Sequence, residues 1–223
     1  MTFSLVARCP ETGRFGIVIS SSSPAVAARC AHVRAGVGAV ATQNVTDPRL
    51  GPAALDLMGG GATAAGAVAG LVRAMAHPDY RQLLAVDAAG GVAIHSGAKA
   101  LGLWAEARGP GCAAGGNLLA DAGVPAAMVA GFAAARGPFG DRLMAALGAG
   151  LAAGGEAGPV HSAGLMIADR QSWPWADLRI DWAKDPIGML AAAWAAFAPQ
   201  ADAYVTRALD PSAAPSYGVP GDE

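Results

Sequence analysis

Two short stretches near the start of the chain, Thr2 to Ala7 and Phe15 to Ser21, limit its possible folds more than any other feature. The first alternates, with Phe3, Leu5 and Ala7 on one face and Thr2, Ser4 and Val6 on the other, as a half-buried strand does. Pro10-Glu11-Thr12-Gly13 supplies a turn, and the second stretch is a β-branched run that returns as an antiparallel partner. In such a hairpin the end of the second strand lies beside the start of the first, so the hydroxyls of Ser20 to Ser23 are expected near Thr2. The same serines suit a polar strand end or a helix cap.

Downstream, Gly36 to Gln43 reads as another strand, bounded by a polar loop from Asn44 to Pro48. Gly51 to Met58 and Ala62 to Ala76 carry helical spacing. Arg81 to Asp87 and Gly91 to His95 form a strand pair about Ala88-Ala89-Gly90, and Gly111 to Leu119 is a weaker, glycine-rich strand or loop. Pro125 to Ala135 and Phe139 to Ala153 read as helices separated by Gly137-Pro138. Ser162 to Ala168 and Asp177 to Asp181 make a last strand pair, followed by a helix from Pro186 to Ala198. Blocks of antiparallel strands alternating with paired helices predict an α+β fold rather than a doubly wound parallel sheet. No linker or internal repeat divides the chain. One domain over residues 1–209 is expected, with a loose tail over 210–223 rich in Pro, Ser, Gly and acid.

Charged residues are only 14% of the 223 and the net charge is −2, so no electrostatic footprint for nucleic acid or an anionic membrane is present. No uncharged run reaches the ~18–20 apolar residues of a spanning helix, and no basic-then-apolar leader is visible; cytoplasm is the default expectation. With 53% hydrophobic residues and 31 Gly, the surface is short of charge, and a homo-oligomer is expected. Cys9, Cys30 and Cys112 lie far apart without a C-x-x-C pair, arguing against disulfides and structural zinc.

The chemistry converges on the first strand. With Met1 removed, Thr2 carries a free amine and a hydroxyl on adjacent carbons, a nucleophile and its own general base. An α-amine titrates near ~7.7–8.0, so near neutral pH a useful fraction is unprotonated. Met1 must leave for this to operate, because an acylated nitrogen is no base. Competing motifs are weak: three loose G-x-G-x-x-A matches fail to open a helix after a strand, and neither a G-x-S-x-G elbow nor a Walker lysine motif occurs. His32, His77, His95 and His161 form no close pair, so no metal site is expected. His95, at a strand end, suits either substrate contact or a structural role. Asn117, after two glycines, suits either a turn or a ligand approached closely by backbone. Asp177 and Arg179 read as a structural charge ladder.

The stretches TFSLVARCPETGRFGIVISSS, RAGVGAVATQN, LGPAALDLM, RQLLAVDAAGGVAIHSG, GCAAGGN and ADLRIDWAKDPI resemble the DUF1028 family, an uncharacterised group placed among the N-terminal nucleophile (Ntn) hydrolases. The resemblance runs from Thr2 to about Leu190 and implies a four-layer αββα sandwich: two stacked antiparallel sheets with helices outside. The opening is also similar to that of proteasome β subunits. That similarity implies Thr2 as nucleophile, the backbone N–H of Gly36 as oxyanion donor, and a later strand ending at Thr42-Gln43. The implied activity is hydrolysis of a small amide or related C–N bond without cofactor. Ser21 would assist Thr2, and Gln43, Asn44, His95 and Asn117 would orient amine or substrate. Proteasome subunits also have an acid near the end of the second strand and a lysine shortly after; here that region is Ser20 to Ser23, and the first lysine is Lys99. Arg29 or Arg34 could substitute for the lysine. A non-catalytic ligand-binding or scaffold protein of the same fold is the alternative, and a hydrolase using Ser4, Ser21 or a cysteine with a distant histidine is a third.

Overall fold

The structure, a computed structural model, describes residues 2–219. In chain order it contains β1 (Thr2–Arg8), β2 (Phe15–Ser21), α1 (Val26–Cys30), β3 (Ala31–Arg34), β4 (Gly38–Asn44), α2 (Leu50–Gly59) and α3 (Ala64–Ala74). There follow β5 (Arg81–Asp87), β6 (Val92–Ser96), β7 (Ala105–Gly109), β8 (Cys112–Asn117), α4 (Val124–Ala134), α5 (Phe139–Ala152), β9 (Ser162–Ala168), β10 (Ala176–Ile180), α6 (Pro186–Phe197) and α7 (Ala201–Leu209). The strands build two antiparallel sheets, one ordered β10-β9-β2-β1-β8-β7 and the other β3-β4-β5-β6.

The fold is mixed α+β, and local chemistry sets its helix starts. Thr63 caps α3 by accepting from the Gly66 N–H, and Asp185 caps α6 by accepting from the Gly188 N–H with Pro186 at the first position. Four elements go beyond the sequence reading: α1, β3, β7 and α7. β3 is four residues long and begins directly after α1. β7, Ala-Glu-Ala-Arg-Gly, is an edge strand, and its charged residues hide its period. α7 buries only Ala201, so its apolar face is too narrow to stand out.

Alternation along β1 decides what faces what. Phe3, Leu5 and Ala7 join Met128, Leu143 and Leu190 in a core between the six-stranded sheet and α4–α6. Val6 joins Ile17, Ile19, Ala39, Ala41, Leu84 and Val86 in a second core between the two sheets. Val40 and Ala85 face the other way, onto Ala54, Leu55 and Val68 of α2 and α3. Thr2 and Ser4 share the face of Val6 and are carried into the space between the sheets. Among the described residues no helix is long and apolar enough to cross a membrane.

In the C-terminal stretch, the Arg207 guanidinium lies 3.7 Å from the Tyr217 ring centroid and donates to the Pro215 carbonyl. Residues 220–223 of the expected tail, and Met1, lie outside the described residues.

Candidate functional site

At one end of the inter-sheet layer the apolar packing gives way to buried polar groups. Thr2 is only 5% exposed, and Ser4, Ser21, Gln43, Gln82 and Asn117 are fully buried. The hairpin places Phe3 opposite Ser20, which brings the Thr2 hydroxyl 3.4 Å from the Ser21 Oγ. On its other side β1 pairs with β8, setting Thr2 directly opposite Asn117.

Two backbone carbonyls orient the amides. Gln43 Nε2 donates to Gly115 O at 3.1 Å and Gln82 Nε2 to Gly116 O at 3.2 Å. Because a carbonyl can only accept, both amide orientations are fixed. Gln43 Oε1 must then accept, and it takes the Ser4 hydroxyl at 2.7 Å. Gln82 Oε1 likewise accepts from Gln43 Nε2 at 2.7 Å and from Asn117 Nδ2 at 3.2 Å. This leaves Asn117 Oδ1 buried with no donor, across the strand from Thr2. Glycine is needed at 116, since a Cβ there would lie 2.6 Å from Leu119 and 3.0 Å from the Thr2 carbonyl oxygen. Ser96 completes the chain by accepting from Gln82 Nε2.

Glu156 closes this end. It lies in the turn after α5, where Gly154 and Gly155 both have left-handed backbone, and both its carboxylate oxygens face the Ser22 N–H, at 3.0 and 3.1 Å. Burial pushes its pKa up to about 7, with the charge of the chain's terminal amine, the Ser22 hydrogen bonds and His161 pulling against that. The sequence reading missed Glu156 and Gln82. Gln82 could have been found by the period-two alternation that puts it on the face of Leu84; no local motif marks Glu156, which reaches Ser22 from the far side of two helices.

Backbone strain gathers in the same place. Among the described residues, the non-glycine positions with left-handed backbone are Ala25, Asn44, His77 and Leu118. Ala25, His77 and Leu118 sit in loops leading from β2 and β8 or into β5, and Asn44 is the last residue of β4, all at the end that carries Thr2. Such conformations cost roughly 1–3 kcal/mol each and cluster where surrounding structure holds a site in shape. Asn44 is one of them: its amide donates to Tyr80 O and accepts from the Leu101 N–H, so it clamps two loops rather than facing the buried cluster.

Thr2, Ser21, Gln43 and Asn117 are thus brought together; Asn44 is turned to the loops, and two further expected residues, Gly36 and His95, also lie away from the cluster. Gly36 lies, with φ +69°, in the exposed turn between β3 and β4. That turn adjoins Gly38, which pairs with Asp87, whereas Gln43 pairs with Gln82. Five residues of strand separate the two levels, about 17 Å. The Gly36 N–H is therefore at the wrong end of the sheet to meet a carbonyl at Thr2. His95 points to the helix-covered face of its sheet and is bonded to Pro78 O. Nor do Arg29 or Arg34 replace a lysine, being turned to Pro24 O and Asp56 respectively.

Other chemistry is thinly supported. His161 bonds Ala183 O, and no described hydrogen bond joins a histidine side chain to a serine or cysteine. Burial raises the pKa of Cys30 and Cys112, which makes them poor thiolates. A cleft of about 480 Å³ lined by Cys9, Glu11, Phe139 and Arg142 opens at the opposite end of β1 from Thr2, and there Glu11 accepts from the Cys9 thiol. Among the described residues no group of three or more His, Cys, Asp or Glu could hold a metal ion. Asp177 and Arg179 form a 2.6 Å ion pair along β10, as a structural ladder would.

Comparison with known proteins gives a family and a structural relative. No curated protein matches. The crystal structure of protein SPO2555 from Silicibacter pomeroyi, itself assigned to DUF1028, superposes with a TM-score of 0.82 at 29% identity, covering 88% of each chain. The model of a family of unknown function, DUF1028, matches residues 2–190. This chain therefore belongs to the DUF1028 family.

Proposed function

We propose that the protein is an Ntn-type amidohydrolase acting on a small amide or related C–N bond, with Thr2 as nucleophile once Met1 is removed. The observation that carries this reading is the bare, buried Asn117 Oδ1 opposite Thr2, at the end of an amide chain that backbone carbonyls hold in one orientation. A buried acceptor without a donor costs about 1–3 kcal/mol, and a free amine on Thr2 is the donor chemically suited to it. Helices α4–α6, the two sheets, and α2 with α3 stack in a sequence consistent with an αββα sandwich.

In this scheme the Thr2 hydroxyl, held against Ser21, attacks the substrate carbonyl while the α-amine takes its proton and then delivers it to the departing nitrogen. Water, deprotonated by the same amine, hydrolyses the resulting ester and restores Thr2. Asn117 orients the amine, and Gln43 and Gln82 orient Asn117. The near-complete burial of Thr2 favours a small substrate over a protein chain.

The test is intact-mass analysis of the protein from its native host, paired with turnover across a panel of small amides. The expected result is a chain lacking Met1 whose activity disappears in Thr2→Ala and partly survives in Thr2→Ser. Quantitative retention of Met1 would overturn the mechanism. Ligand binding indifferent to Thr2 substitution, without turnover, would favour a non-catalytic binding protein.

A further inference from the structure

The buried Glu156 carboxylate has more acceptor capacity than its hydrogen bonds fill. An ionised carboxylate offers about four lone-pair sites, yet among the described residues its hydrogen bonds come from Ser22 alone, whose N–H lies 3.0 and 3.1 Å from the two oxygens, and the residue is 4% exposed. Three contacts tie its loop to the start of β1. Gly155 packs on the Phe3 ring, with a Cβ there falling 3.4 Å away. Glu156 bridges Leu119, two residues past the partner of Thr2. Ser22 follows Ser21, which touches the Thr2 hydroxyl.

Register sharpens the placement. With Phe3 opposite Ser20, Thr2 lies opposite Ser21, and Ser22 is one place further along. A carboxylate on the Ser22 N–H is therefore where an amino group on Thr2 would extend. On the β8 side stands an acceptor without a donor, Asn117 Oδ1. An anion and a neutral acceptor flank one position, and the group that satisfies both is a cationic donor. Among the described residues the nearby side-chain cations are engaged elsewhere: Arg29 with Pro24 O, Arg81 with Val45 O, and Lys99 over the Tyr80 ring.

The geometry points to Glu156 as the counter-ion of the Thr2 α-ammonium, a positioning residue that, with Asn117 Oδ1, seats the amine beside its own hydroxyl. This rests on the reading of Thr2 as a processed N-terminus. It assigns to a loop beyond α5 the acidic role that proteasome-like sequences place on the second strand. The other titratable side chains facing this loop are His161, ahead of β9, and Asp121, whose carboxylate is occupied by the Gly123 N–H at 2.6 Å.

The experiment uses the full chain released from a cleavable fusion so that Thr2 is the first residue, with 13C-labelled threonine. NMR titration of the Thr2 Cα and Cβ shifts reads the amine directly. Glu156→Gln is expected to lower the amine pKa by about one unit or more, roughly tenfold more free base at pH 7, and His161→Gln to move it less. An unchanged amine pKa in folded Glu156→Gln would overturn the assignment. If that variant does not fold, the wild-type titration decides: two coupled steps support the pair, and one simple step overturns it. Because the readout is independent of turnover, a coupled amine in a protein that keeps Met1 in its host would uphold Glu156 and sink the hydrolase reading. An uncoupled amine in an active enzyme would do the reverse.

Discussion

Between the two sheets the same strands carry two unlike interiors. At the level of Phe15, Ile17, Ala39 and Val86 the contacts are apolar and non-directional; at the level of Thr2, Ser4, Gln43, Gln82 and Asn117 they are hydrogen bonds that each fix the next. Apolar packing loses stability in proportion to the volume removed. The amide chain adds little net stability per bond, about 0.5–1.5 kcal/mol, but removing one member strands the others. The difference separates the part of the interior that holds the sheets together from the part that holds one hydroxyl and one acceptor in place.

Substitutions can break this contrast. The largest effect is expected from Thr2→Ala, which should cut turnover at least ~10³-fold while leaving thermal unfolding near wild type, since only a hydroxyl and a methyl group are lost. Ile17→Ala at the apolar end should do the opposite: about 2–5 kcal/mol less stability by denaturant titration, with turnover per folded molecule unchanged. If Ile17→Ala lowered turnover as much as stability, the two ends would not be separable. Gln82→Ala should fall between them, costing about 1–3 kcal/mol because Asn117 Nδ2 loses its acceptor and Gln43 Nε2 loses one of its two. It should also lower turnover, because Asn117 is then free to rotate.

Much of this was legible in the sequence, and the failures have physical causes. The hairpin followed from alternation and a turn, and it correctly brought Ser21 to Thr2. Asn117 was flagged by its glycines, though its position opposite Thr2 depended on β8 pairing with β1 from more than a hundred residues away. Gly36 failed because an R-x-G pattern fixes a local turn but not which end of a sheet that turn occupies. Glu156 was invisible because its role depends on burial and on Ser22, neither of which leaves a local pattern.

The charged member of the polar end should reveal itself through pH. The raised pKa of Glu156, from an ordinary value of 4.5 to about 7, means that folding favours its protonated form. Its contribution to stability is therefore fully present below pH 4.5 and is lost as the pH rises through about 7. Urea unfolding across this window should show a decline of about 1–3 kcal/mol that Glu156→Gln abolishes. The apolar-end variant Ile17→Ala should be less stable at every pH but keep the same slope.

The smallest effect is expected where the sequence placed an oxyanion donor. Gly36 has φ +69° and open space around it, so Gly36→Ala meets no steric contact and incurs only the cost of a left-handed alanine, about 1 kcal/mol. Turnover per folded molecule should be unchanged, because some 17 Å of strand separates this turn from Thr2. A loss of turnover beyond the stability loss, measured as kcat at saturating substrate, would show that the distal turn communicates with the polar end, and the division of the interior into a structural and a functional half would have to be redrawn.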